Sequence, residues 1–213
     1  MEIGVRSELV DIINYCVDHQ VHQSDPSARD PKPLIGCFGR LKKYKSIEHL
    51  LQAMVLVRKQ HPDVKLIIVG EGDNRSALEA LAKELRIQDA VQFTGFIEED
   101  EKVRWLQRVW FAVNTSSKEG WGLTVIEANA CGTTVIASNV PGLRDAVKHN
   151  DTGLLYEFGN VQELAEQIHQ CLADPALRDR LAQSARAWAA TFDWDIAAGR
   201  TLKLLEQRVH SSS

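Results

Sequence analysis

Short apolar runs alternate with helix-spaced apolar positions along most of the chain, beginning at residue 34. The apolar runs predict buried strands at 34–38, 65–69, 91–94, 110–114 and 134–137, with a sixth short strand at 153–156. Apolar residues that recur every three or four positions predict helices between them, at 47–55, 76–85, 100–107 and 123–131. Strands without a polar face, joined by helices, are typical of a parallel sheet covered on both sides. The predicted fold class is therefore α/β: a Rossmann-like open parallel sheet with helices on both faces.

The two ends of the chain follow other patterns. The C-terminal quarter is predicted to be helical, at 161–172, 175–190 and 196–209. Near the other end, residues 22–33 carry three prolines among mostly polar neighbours, which is the composition of a linker. The apolar stretch 9–13 is too small to form a core, so we expect it to pack on the main domain or on something missing.

These patterns predict three parts. Residues 1–33 would be the remnant of a preceding domain with its linker, residues 34–194 the main domain, and residues 195–213 a C-terminal helix with a disordered tail.

Composition narrows the class of protein. The 213 residues are 44% hydrophobic and 25% charged, which are ordinary globular values and exclude intrinsic disorder. The 25 Lys and Arg residues against 29 Asp and Glu residues give a net charge of −4, so no global positive field exists to hold nucleic acid. The apolar runs fall far short of the ~18 residues that a membrane helix needs. A cytoplasmic location is the expectation.

Neither cysteine nor histidine spacing predicts a metal site. The four cysteines form no CxxC pair, so we expect buried reduced thiols. His19 and His22 are the only helix-spaced histidine pair, and the sequence places no carboxylate cluster near them. A solvated pair is the expectation, with no metal and no cofactor.

Ligands of open parallel sheets bind at the carboxyl ends of the strands, so the loops there are the candidate sites. After the first strand, Gly39 is followed by Arg40 and three lysines just before a helix. A phosphate could bind there, although this loop taken alone is better explained as a solvated basic loop. After the second strand, Gly70-Glu71-Gly72 begins like a dinucleotide fingerprint, but Arg75 stands where the third glycine belongs. A tight turn that needs glycine explains that loop better than NAD binding.

The loop after the fourth strand is the most informative. It reads KEGWGLTVIEANACG from residue 118 and places Glu119 in the loop and Glu127 about one turn inside the helix. The amides of residues 122–124 would lie free between the two carboxylates. Amides and cations suit a diphosphate, and carboxylates suit sugar hydroxyls, so a nucleotide sugar fits this set. Either glutamate taken singly is better explained as a surface residue. A glycoside hydrolase would leave the glycine amides and the Arg40/Lys45 loop without a role.

The segment EGWGLTVIEANACGTTVIAS resembles the signature of the retaining GT-B glycosyltransferases of family 4. The likeness extends from residue 33 to about 195, where GRLKKYKSIEHLLQA, LIIVGEGDNR, VQFTGF, VPGLRDAV, DTGLLY and FDW follow in the family's order. The sequence departs from the family's usual residues at four positions: Ser46 stands where glycine is common, Trp121 where phenylalanine is usual, Thr134 where proline is usual and Asp145 where glutamate is common. The first two weaken most the inference of which sugar is bound.

The resemblance implies a role for each residue that matches the family's motifs. Arg40 and Lys45 would contact the donor diphosphate and stabilise it as a leaving group. Glu119 would bind the hydroxyls of the donor sugar, and Glu127 those of the ribose of UDP or GDP. The remaining substrate-binding positions would be Gly39, Gly70, Ile97, Gly120, Gly122, Leu123 and Thr124, with Gly70 and Ile97 at the base and ribose.

The family fold has two Rossmann-like halves, and this chain has room for one. Residues 6–21 resemble the end of the first half. The hypothesis is thus a donor-binding domain of a metal-independent hexosyltransferase, which alone binds a nucleotide sugar without turnover. Its expected partners are the missing N-terminal acceptor domain and, through that half, a peripheral membrane contact. The main rival is a non-catalytic module that holds a nucleotide or a partner domain, and a weaker one is an NAD-dependent oxidoreductase.

Overall fold

The computed structural model describes residues 12–211, with side chains described through residue 207. Six strands form one sheet: β1 (Leu34–Phe38), β2 (Lys65–Val69), β3 (Val91–Gly95), β4 (Phe111–Asn114), β5 (Val135–Ser138) and β6 (Gly153–Tyr156). The order across the sheet is β3-β2-β1-β4-β5-β6, and every pairing is parallel.

The described residues contain eight α-helices: α1 (Ile47–Val57), α2 (Arg75–Glu84), α3 (Glu99–Arg108), α4 (Leu123–Ala130), α5 (Leu143–Ala146), α6 (Val161–Ala173), α7 (Pro175–Ala189) and α8 (Trp194–Ser211). Single 3-10 turns occur at Pro26–Ala28 and Lys43–Lys45. The sequence missed α5 because four residues are too few for a periodic pattern. Asp174 caps α7 by accepting from the Leu177 amide, with Pro175 in the first turn as predicted.

Two apolar layers hold the sheet between helices. One layer joins side chains of α1, α2 and α6 to the strands, including Leu50, Ile68 and Ile168, which are completely buried. The other joins α3 and α4 to the opposite face through residues such as Leu106 and Ile126. Strands buried on both faces explain why the sequence shows almost no polar position within them.

The predicted linker does not hang free. Residues 18–30, here called the strap, lie against the second layer. Arg29 donates to the carbonyls of Val109 and Gly132 and to the Thr133 hydroxyl, and the Trp110 indole donates to the Asp30 carbonyl at 2.8 Å. This proline-containing segment is therefore fixed by hydrogen bonds from long side chains. Composition alone does not reveal such contacts.

The chain before the strap and the last helix lie side by side. Val17 is buried and its amide donates to the Phe192 carbonyl at 3.1 Å, whereas Ile12 is 73% exposed. The rest of the predicted apolar stretch, before residue 12, lies outside the described residues. Asp193 accepts from the Asp195 and Ile196 amides and so starts α8.

The last helix continues past its predicted end at 209 because no proline or glycine follows Gly199 to stop it. The disordered tail predicted within 195–213 is thus helical as far as Ser211, and the final two residues lie outside the described part. The division of the chain into three parts stays a prediction.

All four cysteines are free and buried, which confirms the predicted thiols. Burial raises the pKa of Cys37 to about 12, so this thiol stays protonated at neutral pH. Within residues 12–211, no helix combines the length and the apolar character that crossing a bilayer requires.

Candidate functional site

The strand order reverses between β1 and β4, and this is the point at which open α/β sheets bind ligands. The loops after these two strands face each other across a crevice. Two hydrogen bonds join these loops. The Ser117 amide donates to the Tyr44 carbonyl at 2.7 Å, and the Thr115 hydroxyl donates to the Lys45 carbonyl at 2.8 Å. Gly39, Arg40, Lys45, Asn114 and Thr115 line a cleft between the two loops.

The loop after β1 turns sharply and presents its cations. Gly39 has a φ of 135°, which favours glycine, and Ser46 begins α1 in the left-handed region with a φ of 47°. Arg40 donates to the Tyr44 hydroxyl at 3.0 Å. Ser46 therefore keeps a backbone conformation that suits glycine, and its departure from the family pattern adds only a side chain.

The glycines after β2 are explained by close approach to this same loop. A Cβ on Gly70 would lie 2.1 Å from the Gly39 carbonyl oxygen, and one on Gly72 would lie 2.1 Å from the Leu41 carbonyl oxygen. The Leu41 amide also donates to the Glu71 carbonyl at 2.7 Å. Close backbone approach thus accounts for both glycines, as the tight-turn interpretation expects, and Gly70 packs directly against the loop after β1.

Glu119 and Lys45 form an ion pair across the crevice. Their side chains are 16% and 12% exposed, and the Ser116 hydroxyl donates to the same carboxylate oxygen at 2.8 Å. The backbone of Glu119 packs closely against Gly142, since a Cβ on Gly142 would lie 2.3 Å from the Glu119 carbonyl oxygen. A cation and a carboxylate are therefore held together at the strand ends, and their roles toward a diphosphate and a sugar stay predictions.

Helix α4 begins where the sequence predicts. Gly122 precedes it with a φ of 81°, and Glu127 lies one turn inside. Among the described residues, the amides of Gly122, Leu123 and Thr124 have no hydrogen-bond acceptor, as is usual for the first amides of a helix, and they carry the partial positive charge of the helix start. Gly120 has open space around it, with nothing within 4 Å of a Cβ built there. The Trp121 indole contacts Phe192 and donates to the Tyr15 carbonyl at 3.1 Å.

The loop after β3 completes the edge of the crevice. Gly95 pairs with Gly70 as an isolated bridge, which brings the loops after β2 and β3 together. Ile97 is half-buried against the layer that contains α4, and Phe96 beside it is 67% exposed. The predicted base-side residues Gly70 and Ile97 therefore lie on adjacent loops.

The structure contradicts the prediction that His22 is solvated. His22 is 7% exposed, and its Nε2 atom lies 3.0 Å from Glu99, in the first turn of α3. Lys102 lies 2.8 Å from Glu99 and 3.1 Å from Glu127. Desolvation lowers the pKa of Lys102, but the two carboxylates outweigh it and hold that pKa above its ordinary value.

His22, Glu99 and Glu127 come close enough to share a metal ion. However, the Lys102 ammonium already lies beside both carboxylates. This arrangement supplies its own cation, and the expectation of no metal stays a prediction. Sequence reasoning missed His22, Glu99 and Lys102. The three-residue spacing of Glu99 and Lys102 on a helix was a usable signal for their pair, but His22 is too distant along the chain to give one.

A family model described as glycosyl transferases group 1 matches residues 19–188. The chain belongs to this family. Two curated members resemble it: a glycogen synthase of Mycobacterium tuberculosis, 34% identical over 167 residues, and a D-inositol 3-phosphate glycosyltransferase of Streptomyces bingchenggensis, 35% identical over 181 residues. These alignments cover 78% and 80% of the chain but 40% of each relative. The group 1 chain thus spans well under half the length of these relatives.

Among solved structures, HepE of Anabaena in complex with UDP superposes with a TM-score of 0.87 at 26% identity, over 95% of this chain and 58% of HepE. The same protein has been solved with UDP-glucose. The predicted fold class is confirmed: the group 1 chain is one Rossmann-like half of a GT-B fold.

Proposed function

We propose that the chain is the donor-binding domain of a retaining, family 4 glycosyltransferase that transfers a hexosyl group from a nucleotide sugar to an acceptor hydroxyl. The observation that carries this proposal is the pairing of Lys45 with Glu119 beside the free amides of α4, at the point where the strand order reverses. Cations and amides suit phosphate oxygens, and a carboxylate suits sugar hydroxyls.

Lys45, Arg40 and the amides of residues 122–124 would hold the donor diphosphate. Charge develops on the diphosphate as its bond to the anomeric carbon breaks, and fixed donors at that position stabilise the departing group. Lys45 would exchange part of its contact with Glu119 for phosphate oxygens. These donors neutralise the diphosphate without a metal, which is why we propose none.

Glu119 would accept hydrogen bonds from the hydroxyls of the transferred sugar, and Glu127 from those of the ribose. The base would lie against Gly70 and Ile97, whose loops meet at the edge of the crevice. UDP is our choice of nucleotide over GDP because the similar HepE structure contains UDP or UDP-glucose. The indole of Trp121 is engaged by Tyr15 and Phe192, so this departure from the family pattern leaves the sugar side of the loop open.

The acceptor would bind between this domain and an N-terminal half. Large apolar side chains near both ends of the described chain support such a partner: Ile12, Tyr15, Trp194, Ile196, Leu202 and Leu205 are all more than half exposed. The chain alone would then bind the donor and transfer nothing, since the acceptor hydroxyl must be held within about 3.5 Å of the anomeric carbon. The cytoplasmic location and the membrane contact of the other half stay predictions.

A thermal-shift screen with UDP, GDP, ADP and their glucose conjugates tests the proposal. A ligand at about 100 times its Kd adds ~2.7 kcal/mol of stability, so UDP and UDP-glucose should raise the melting temperature. The chain is then incubated with each stabilising donor and a panel of acceptor sugars, and the products are measured by mass spectrometry. We expect no multiple-turnover transfer. Stabilisation by nucleotides but by no sugar conjugate would favour the non-catalytic module instead. Turnover by this chain would refute its assignment as one half of an enzyme.

A further inference from the structure

Four side chains form a continuous path from the strap to α4. His22 lies 3.0 Å from Glu99, Glu99 lies 2.8 Å from Lys102, and Lys102 lies 3.1 Å from Glu127. His22 belongs to the strap, Glu99 and Lys102 to the first turns of α3, and Glu127 to α4. The path therefore connects three separate parts of the chain and ends on the carboxylate one turn inside α4.

Lys102 contacts only one side of that carboxylate. It lies beside Oε2 of Glu127, whereas Oε1 has no hydrogen-bond partner among residues 12–207. The Glu127 side chain is 12% exposed, and a carboxylate so deeply buried is costly without a cation next to it. Lys102 thus places a cation beside Oε2 of Glu127 and leaves Oε1 to accept a hydrogen bond from a ligand.

The strap contacts the Glu99–Lys102 pair through His22. The ring of His22 is held at Nδ1, which lies 3.2 Å from the Asp18 carbonyl oxygen, and its Nε2 lies at ion-pair distance, 3.0 Å, from a Glu99 carboxylate oxygen without forming a hydrogen bond. Glu99 is half exposed, and a side chain that free needs a partner to hold one rotamer. His22 and Lys102 both lie within ion-pair distance of the same Glu99 carboxylate oxygen, at 3.0 and 2.8 Å.

We propose that Lys102 is a positioning residue: it aims Glu127 at the ribose 2′- and 3′-hydroxyls, while His22 and Glu99 hold Lys102 from the strap. The inference rests on the proposed role of Glu127 in donor binding. It predicts that the preference for a ribonucleotide over its 2′-deoxy analogue depends on Lys102, although Lys102 itself need not contact the nucleotide.

The test measures UDP and 2′-deoxy-UDP binding by calorimetry. Hydrogen bonds to a charged acceptor are worth about a tenfold factor or more in Kd, so the wild-type chain should prefer UDP by about tenfold. Lys102→Met should weaken UDP about tenfold and 2′-deoxy-UDP much less, which removes the preference. Should GDP or ADP be the nucleotide that stabilises the chain, it and its 2′-deoxy analogue replace the uridine pair.

Three further variants separate positioning from a general loss of stability. Lys102→Arg keeps the charge and should restore most of the preference. Lys83→Met makes the same exchange at an exposed lysine in the last turn of α2 and should change neither affinity. The double variant Lys102→Met/Glu127→Gln should bind UDP no more weakly than Glu127→Gln alone, because Lys102 acts through Glu127.

His22→Gln and Glu99→Gln should weaken UDP about threefold, less than Lys102→Met, because each acts one or two contacts further from the ribose. A preference in Lys102→Met as large as in the wild type would overturn the inference and leave the proposed function standing. Equal wild-type affinity for the two nucleotides would overturn the inference together with the ribose role of Glu127, and no binding of any nucleoside diphosphate would overturn the proposed function as well.

Discussion

At the carboxyl ends of the strands, Lys45 lines a small cleft and the first amides of α4 have no acceptor among the described residues, whereas at the opposite ends Arg29 is inserted among backbone carbonyls. Both regions place cations at helix termini. Val109 and Gly132, whose carbonyls accept from Arg29, lie just beyond the ends of α3 and α4. Carbonyls at a helix end carry partial negative charge and satisfy a cation, while amides at a helix start carry partial positive charge and favour an anion.

The comparison shows how one set of helices can serve stability and binding at the same time. At the strap, Arg29 finds its acceptors within the chain, so its contacts contribute to folding. At the crevice, the amides of residues 122–124 have no acceptor among the described residues, so their hydrogen bonds are available to a ligand. Substitutions at the strap should change stability first, and substitutions at the crevice should change affinity first.

Gly70 should be the exception to this division between stability and affinity, because it lies at the crevice and its substitution should mainly change stability. A Cβ there would lie 2.1 Å from the Gly39 carbonyl oxygen, and the φ of 131° is unfavourable for any other residue. We expect Gly70→Ala to lower the free energy of unfolding by about 3 kcal/mol or more, measured by urea denaturation. Gly120→Ala, with open space around it, is the matched control and should cost less than about 0.5 kcal/mol. Equal stability of the two variants would contradict the close packing of these loops.

Replacing both Arg40 and Lys45 with alanine should give the largest change in affinity at the crevice. Since these cations neutralise phosphate, we expect UDP to bind about 100-fold more weakly and uridine to bind almost as before, by calorimetry. Lys83→Ala combined with Arg104→Ala removes two exposed helical cations and serves as the control. Similar losses for UDP and uridine would mean that the two residues support the fold or the base pocket.

Arg29→Ala should have the opposite profile. It leaves two carbonyls and a hydroxyl without their donor, and we expect a loss of about 2 kcal/mol in unfolding free energy with UDP affinity nearly unchanged. Arg104→Ala, an exposed arginine on α3, is its single-residue control. A loss of UDP affinity larger than the loss of stability would show that the strap governs the crevice more directly than the comparison implies.

The sequence predicted those features that depend on neighbouring residues, such as strand bounds and the start of a helix. The bounds of β1, β2 and β6 agree with the sequence because strands buried on both faces read as continuous apolar runs. Glu127 was placed one turn inside α4 because Gly122 is a poor helical residue and a good helix start. His22 was misjudged because its partner Glu99 lies 77 positions away, and no periodicity reports such a contact. Arg29 was missed for the same reason, as its partners begin 80 positions further on.

The strand order also sets when the crevice can exist during synthesis. The chain builds β1, then β2 and β3 to one side of it, and only afterwards returns to place β4 on the other side. Because a domain generally folds as a unit, these three strands complete their sheet only after β4 has followed them. Helix α4, which lies beside the crevice, is complete only once residue 130 has been synthesised. A nucleotide can therefore help the chain to fold only in the later part of its synthesis.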